Sequence, residues 1–216
     1  MKPYYQDEAV TIYHSDCRDI LPTLKDIDLI ITDPPYGISY NSGYYKYGNP
    51  HKPVVGDLSY PVEILNVCLR LATRAVFTFC RWDILHILPK PESVIVWVKN
   101  NWSAGDLQHE YGRMWEAIAF YPRSQHKFIG RPSDVIHCDR IAPTALTHPT
   151  EKPIPLLKQI IKANVGTTIL DPFAGSGTTL MASKELGRRC IGIEIKEEYC
   201  ETAALRCSQM VFDLDI

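Results

Sequence analysis

Short apolar runs alternate with stretches of helical periodicity along most of this chain, and no other feature constrains its fold as strongly. The runs fall at Val10–His14, Leu29–Asp33, Ala75–Phe79, Val94–Val98, Ala117–Tyr121, Thr168–Asp171 and Cys190–Glu194. Each is rich in β-branched or aromatic residues, as strands buried on both faces are. Between them, "YPVEILNVCLRLAT", "PIPLLKQIIKAN", "SGTTLMASKELG" and "KEEYCETAALRCSQM" place apolar residues three or four apart, the spacing of helices that cover a sheet. Pro61, Pro153 and Pro155 suit first helical turns, and Gly187 suits a helix stop. The pattern predicts an α/β protein with one seven-stranded, mostly parallel sheet and helices on both faces. At 216 residues, a single domain spanning 1–216 is expected.

Composition removes several function classes. No apolar run approaches the ~20 residues a membrane-spanning helix needs, and "MKPYYQDEAV" lacks the apolar core of a secretion signal, so a cytoplasmic protein without membrane contact is expected. The seven cysteines are scattered and never spaced as C-x-x-C, which points to neither a disulfide framework nor a metal site. The net charge of −2 conceals a division: from Glu194 to Ile216 there are six acids and two bases, and the remainder is mildly basic. From Tyr121 to Lys152 five bases face three acids, an excess too small to predict polyanion binding by itself.

Two segments fit no element. Residues 37–59 are rich in Gly, Asn and Tyr, and Pro122 to Pro149 is irregular, basic and proline-bearing. Connections this long inside a compact domain are usually functional or disordered.

The stretch "TILDPFAGSGTTLMASKELGRRCIGIEIKEEY" reads as a strand ending at Asp171, a turn with Gly175 and Gly177, a helix starting near Ser176 to Thr178 and a strand ending at Glu194. Glycines there let backbone approach a ligand, and an acid at the next strand end is placed to bind ribose hydroxyls, which makes a nucleoside-cofactor site. No G-x-x-x-x-G-K-[ST] occurs, so a P-loop is excluded, and Leu180 stands where a dinucleotide fold wants a third glycine. A glycine turn that merely joins strand to helix is the plainer alternative, and Glu194 weighs against it.

In "LIITDPPYGISY" an apolar strand ends in a carboxylate, two prolines and a tyrosine. Asp33 thus emerges at a carboxyl strand end, where open α/β sheets keep their ligands. Pro34 and Pro35 fix φ and lack N–H groups, so the turn offers acceptors only, a cradle suited to an amino group with two N–H bonds to give. Tyr36 adds a flat face for a planar ring. Together these features suit the exocyclic amine of a nucleobase flipped out of a duplex. A rigid Asp-Pro-Pro turn beside a core tyrosine is the alternative.

With both turns in view, the chain resembles the amino-methyltransferases that modify adenine N6 or cytosine N4 in DNA. More narrowly it is similar to the beta-ordered group, in which DPPY precedes the cofactor turn. The resemblance covers nearly the whole chain and implies a Rossmann-like S-adenosylmethionine-dependent methyltransferase fold acting on double-stranded DNA. It implies that Asp33, Pro34, Pro35 and Tyr36 are catalytic. It places Asp16 and the Cys17 amide at the adenine of S-adenosylmethionine, and His148, Thr150 and Lys152 of "HPTEKP" near its methionine carboxylate. "DPFAGSGTT" supplies Asp171, Phe173, Gly175, Gly177 and Thr178, and Glu194 is the ribose acid. DPPY is more usual in the adenine enzymes, so N6 of adenine is the expected target, with N4 of cytosine, RNA or a protein amide as alternatives. A catalytically idle, cofactor-binding regulator of a DNA complex is the alternative from another class.

The chain departs from the family pattern in its target-recognition region, for which only residues 122–147, 26 in all, are available. So short a segment predicts a very short recognition sequence or loose specificity, with Arg123, Lys127, Arg131 and Arg140 as candidate DNA contacts. Residues 37–59 are expected to form a mobile loop that folds over the flipped base. A homodimer would widen the DNA contact surface, and a partner restriction endonuclease would place the chain in a restriction-modification pair.

Overall fold

A computed structural model describes residues 2–36, 60–103, 109, 111–141 and 151–209. The elements in chain order are β1 (Tyr5–Gln6), β2 (Val10–His14), α1 (Cys17–Ile20), β3 (Ile27–Thr32), α2 (Val62–Leu71), β4 (Ala72–Cys80), β5 (Ser93–Ser103), β6 (Arg113–Pro122) and β7 (Val135–His137). They continue as α3 (Ile154–Lys162), β8 (Thr168–Asp171), α4 (Thr178–Glu185), β9 (Arg189–Glu194) and α5 (Glu197–Ser208). All strands join one sheet in the order β1-β2-β9-β8-β3-β4-β6-β5-β7. The block β2-β9-β8-β3-β4 is parallel throughout, β6 runs antiparallel between β4 and β5, and β7 lies parallel to β5. The mostly parallel α/β architecture is as the alternation predicts.

The strand number is corrected from seven to nine among the described residues. Both additions are edge strands, the two-residue β1 and the three-residue β7, too short for a buried pattern to show. β7 also gives regular structure to part of 122–147, as does a bridge between Phe128 and Asn164. Asp33, read as the end of a strand, lies one residue past β3. Pro34 has no N–H to continue a ladder, so pairing stops before it.

Alternation along the strands builds two cores. Leu29 and Ile31 of β3, with Ala75, Phe77 and Phe79 of β4, face α3, α4 and α5. Ile30, Val76 and Cys80 face α1 and α2 on the other side. α3 buries Leu156, Leu157, Ile160 and Ile161 against the sheet, each contributing roughly 1.5–3 kcal/mol of burial. Six of the seven cysteines are buried and all are free, in keeping with reduced core residues. Among the described residues no helix is long and apolar enough to cross a membrane, and no cluster of side chains could hold a metal ion. The parallel block aims its carboxyl ends at one edge, with β8 and β3 adjacent at its centre. Between these two the chain order reverses, the place where such sheets open a crevice.

Candidate active site

That crevice exists, and both sequence motifs reach it. Thr32, Asp33 and Lys152 line one side, with Asp171, Gly175 and Thr178 on the other. β3 delivers Asp33 and β8 delivers Asp171, because parallel neighbours end at the same edge.

On the glycine-turn side, backbone makes most of the contacts. Gly175 has φ +52° and its N–H donates to Glu194 Oε2 at 2.9 Å, while Lys196 N–H donates to Oε1 at 2.8 Å. A Cβ on Gly175 would meet nothing within 4 Å, so bare backbone faces the open cleft. Gly177 has a different reason to be glycine: φ is +85°, and a Cβ there would come within 2.8 Å of the Ala203 Cβ on α5. Asp171 accepts from the Phe173 N–H at 3.1 Å. Burial raises the Asp171 carboxyl from 3.8 to about 7, and burial likewise raises Glu194. Asp16 caps α1 through the Arg18 N–H at 2.9 Å and pairs with the Arg18 guanidinium, which lowers its carboxyl, while Cys17 packs into the core beneath.

Side-chain charges build the opposite wall. Asp33 Oδ1 accepts from the Tyr36 hydroxyl at 2.6 Å, and Oδ2 accepts from Lys152 Nζ at 2.6 Å. Burial, then the Asp33 charge, pushes the Tyr36 phenol well above its ordinary value, so it stays a neutral donor. Lys152 Nζ also lies 3.4 Å from Glu116 Oε2 on β6, and Lys99 on β5 holds Glu116 Oε1. Burial alone would raise the Glu116 carboxyl, but Lys152 and Lys99 outweigh it and the net shift is down. Lys152 is raised in the same way: burial opposes its charge, and Asp33 and Glu116 overcome that.

The sequence reading missed Glu116, Lys99 and the tie made by Glu151, which pairs with Arg206 at 2.8 Å and meets Thr178 Oγ1 at 3.4 Å. That tie fastens the segment carrying Lys152 to the start of α4 and to α5. One signal was present: Lys99 and Glu116 are charges inside the otherwise apolar strands "VIVWVKNN" and "WEAIAFY". His148, Thr150 and the segment 37–59 lie outside the described residues, as does the end of 122–147. Arg123, Lys127 and Arg131 are exposed, whereas Arg140 is half-buried, with its N–H on Asn100 Oδ1 at 3.3 Å.

The family described as DNA methylase matches residues 27–205, a span holding both walls of the cleft. This chain belongs to that family. M2.DpnII of Streptococcus pneumoniae, a type II methyltransferase, is 27% identical to this DNA methylase, over 95% of this chain and 92% of its own length. The DNA adenine methyltransferase YhdJ of Escherichia coli K12 is also 27% identical, over 94% of this chain and 84% of its own. The crystal structure of the M1.HpyAVI–SAM complex matches with a TM-score of 0.67 at 28% identity, covering 91% of this chain and 99% of that one.

The residues of this DNA methylase fit S-adenosylmethionine. Gly175 leaves room at the turn, and Glu194 keeps lone pairs beyond the two backbone bonds it accepts. The Thr32 hydroxyl on the cleft wall is buried without a hydrogen-bond partner among the described residues, an orphan that a bound ligand would satisfy.

Proposed function

We propose that this DNA methylase transfers a methyl group from S-adenosylmethionine to the exocyclic N6 of an adenine flipped out of double-stranded DNA, at a short or loosely defined site. The observation that carries the reading is the shared cleft: Asp33 of the DPPY turn and Gly175 of the glycine turn line the same crevice. A DNA adenine methyltransferase and a type II methyltransferase among the relatives support DNA as substrate, adenine as base and a place in a restriction-modification pair.

When bound, S-adenosylmethionine supplies a methyl group carried on a positively charged sulfur. Glu194 holds the ribose hydroxyls, Asp16 the adenine, and the 173–178 turn presents its backbone to the remainder. At the other wall Asp33 accepts an N–H of the target amine and the Pro34 carbonyl accepts the second, which favours the pyramidal nitrogen whose lone pair can attack. Tyr36 orients the carboxylate through its 2.6 Å bond and offers its ring to the base. Arg123, Lys127, Arg131 and Arg140 meet DNA, and a second copy of the chain widens that contact. The protein works in the cytoplasm.

The test is incubation of the purified protein with unmethylated DNA and isotopically labelled S-adenosylmethionine, then digestion to nucleosides and mass spectrometry. Labelled N6-methyladenine is expected. Labelled N4-methylcytosine would overturn the choice of base, and unlabelled DNA would overturn the reaction.

A further inference from the structure

Lys152 stands between two acids and is bonded to one. Its Nζ donates to Asp33 Oδ2 at 2.6 Å, but at 3.4 Å from Glu116 Oε2 it makes an ion-pair contact without a formed hydrogen bond. That Oε2 is buried and accepts no hydrogen bond among the described residues, whereas the other oxygen is held by Lys99. A buried carboxylate oxygen with an ammonium in reach but no formed hydrogen bond is under-satisfied and calls for a reason.

The reason lies at Asp33. Both of its oxygens are already engaged, Oδ1 by Tyr36 and Oδ2 by Lys152. The amine in the proposed reaction needs one of them. We infer that Glu116 is a positioning residue for methyl transfer: it is the second seat of Lys152, which moves from Asp33 Oδ2 to Glu116 Oε2 as the target N–H takes over the Asp33 oxygen. This inference rests on the methyl-transfer reading above.

Several features support the exchange. The gap to close is short, since a formed N–H···O bond is about 2.9 Å and the present separation is 3.4 Å. The Lys152 ammonium lies 5.1 Å from the Phe79 ring centroid and 5.7 Å from that of Tyr36, so aromatic faces accompany the cation. Lys99 is buried and anchors Glu116 on β6, with Trp97 as the cross-strand partner of Glu116 and Lys99 two residues further along β5. Two lysines and two acids keep the group neutral in both arrangements, so the move leaves no uncompensated charge in the wall.

The test compares steady-state methylation of DNA by the full chain with that of Glu116→Gln, Lys152→Gln and the double variant, beside calorimetric binding of S-adenosylhomocysteine. Glu116→Gln is expected to lower kcat about tenfold or more while KM for S-adenosylmethionine and the S-adenosylhomocysteine affinity stay within about twofold, the mark of a residue that serves the target step and not cofactor binding. Glu116→Asp should recover part of the loss. In the Lys152→Gln background, removing Glu116 should cost nothing further, because the effect runs through Lys152. Should Glu116→Gln fail to fold, the charge-balanced Glu116→Gln with Lys99→Met is expected to show the same loss. Wild-type kcat in the folded Glu116 variants, or an equal loss added to that of Lys152→Gln, would overturn the inference while leaving the methyltransferase reading intact. A wild-type protein that binds S-adenosylhomocysteine but labels no DNA would overturn both.

Discussion

The two walls of the cleft handle carboxylates in opposite ways. On the glycine-turn side Glu194 answers to backbone N–H groups and Asp171 to the Thr179 side chain and the Phe173 N–H, and burial raises both. On the DPPY side Asp33 and Glu116 answer to Lys152 and Lys99, and the lysines hold Glu116 down. Backbone donors are fixed by the fold, so the first wall can be a preformed seat for a ligand that always looks the same. Lysine ammonium groups sit on flexible stems and can change partners, which suits a wall where a base arrives and leaves. Under the proposed function, the difference separates holding a cofactor from admitting a target.

The sharpest way to break this division is at Asp33. Asn in its place keeps the shape and removes the charge, and we expect methyl transfer to fall by about 10²–10³-fold, the scale of losing one well-aimed electrostatic contact. Single-turnover kinetics with enzyme in excess would measure it.

Asp171 tests the other wall through pH. Its folded pKa, about 7, lies above its ordinary 3.8, so the stability associated with its protonated form is fully present below about pH 4 and is lost as pH rises through 7. At 1.36 kcal/mol per unit the loss is at most roughly 4 kcal/mol. Urea midpoints of the wild type should therefore fall more between pH 5 and 8 than those of Asp171→Asn. Equal slopes would mean that Asp171 is not held neutral by burial.

Gly177→Ala comes next. It forces a side chain into a left-handed φ and against Ala203, and a loss of roughly 2 kcal/mol in urea unfolding is expected, with weaker binding of S-adenosylhomocysteine. Smallest is Arg18→Ala. The side chain is 70% exposed, so despite its pairing with Asp16 the thermal unfolding midpoint should be indistinguishable from that of the wild type.

The sequence shows the first wall more completely than the second, for a physical reason. Asp171, the glycines and Glu194 lie within one strand-turn-helix-strand unit, so local spacing reveals their relation. The second wall is assembled across long separations. Lys152 and Asp33 are 119 residues apart, and Lys99 meets Glu116 only once β5 and β6 take their antiparallel register. A charge inside an apolar strand marks Lys99 and Glu116 as unusual, but only the register names the partner. The same holds for the edges of the sheet. β1 and β7 carry too few residues for a period, whereas the central strands, buried on both faces, show plainly in "DLIITD" and "RAVFTFC".

The separation of the two walls is tested most directly by titrating Asp33→Asn with S-adenosylhomocysteine in a calorimeter, beside the wild type. If the glycine-turn wall holds the cofactor and Asp33 serves the target, the affinity will stay within about threefold of wild type, under roughly 0.7 kcal/mol, while methyl transfer is lost. An affinity reduced by tenfold or more would contradict the account, because Asp33 and the charges around it would then belong to the cofactor's seat.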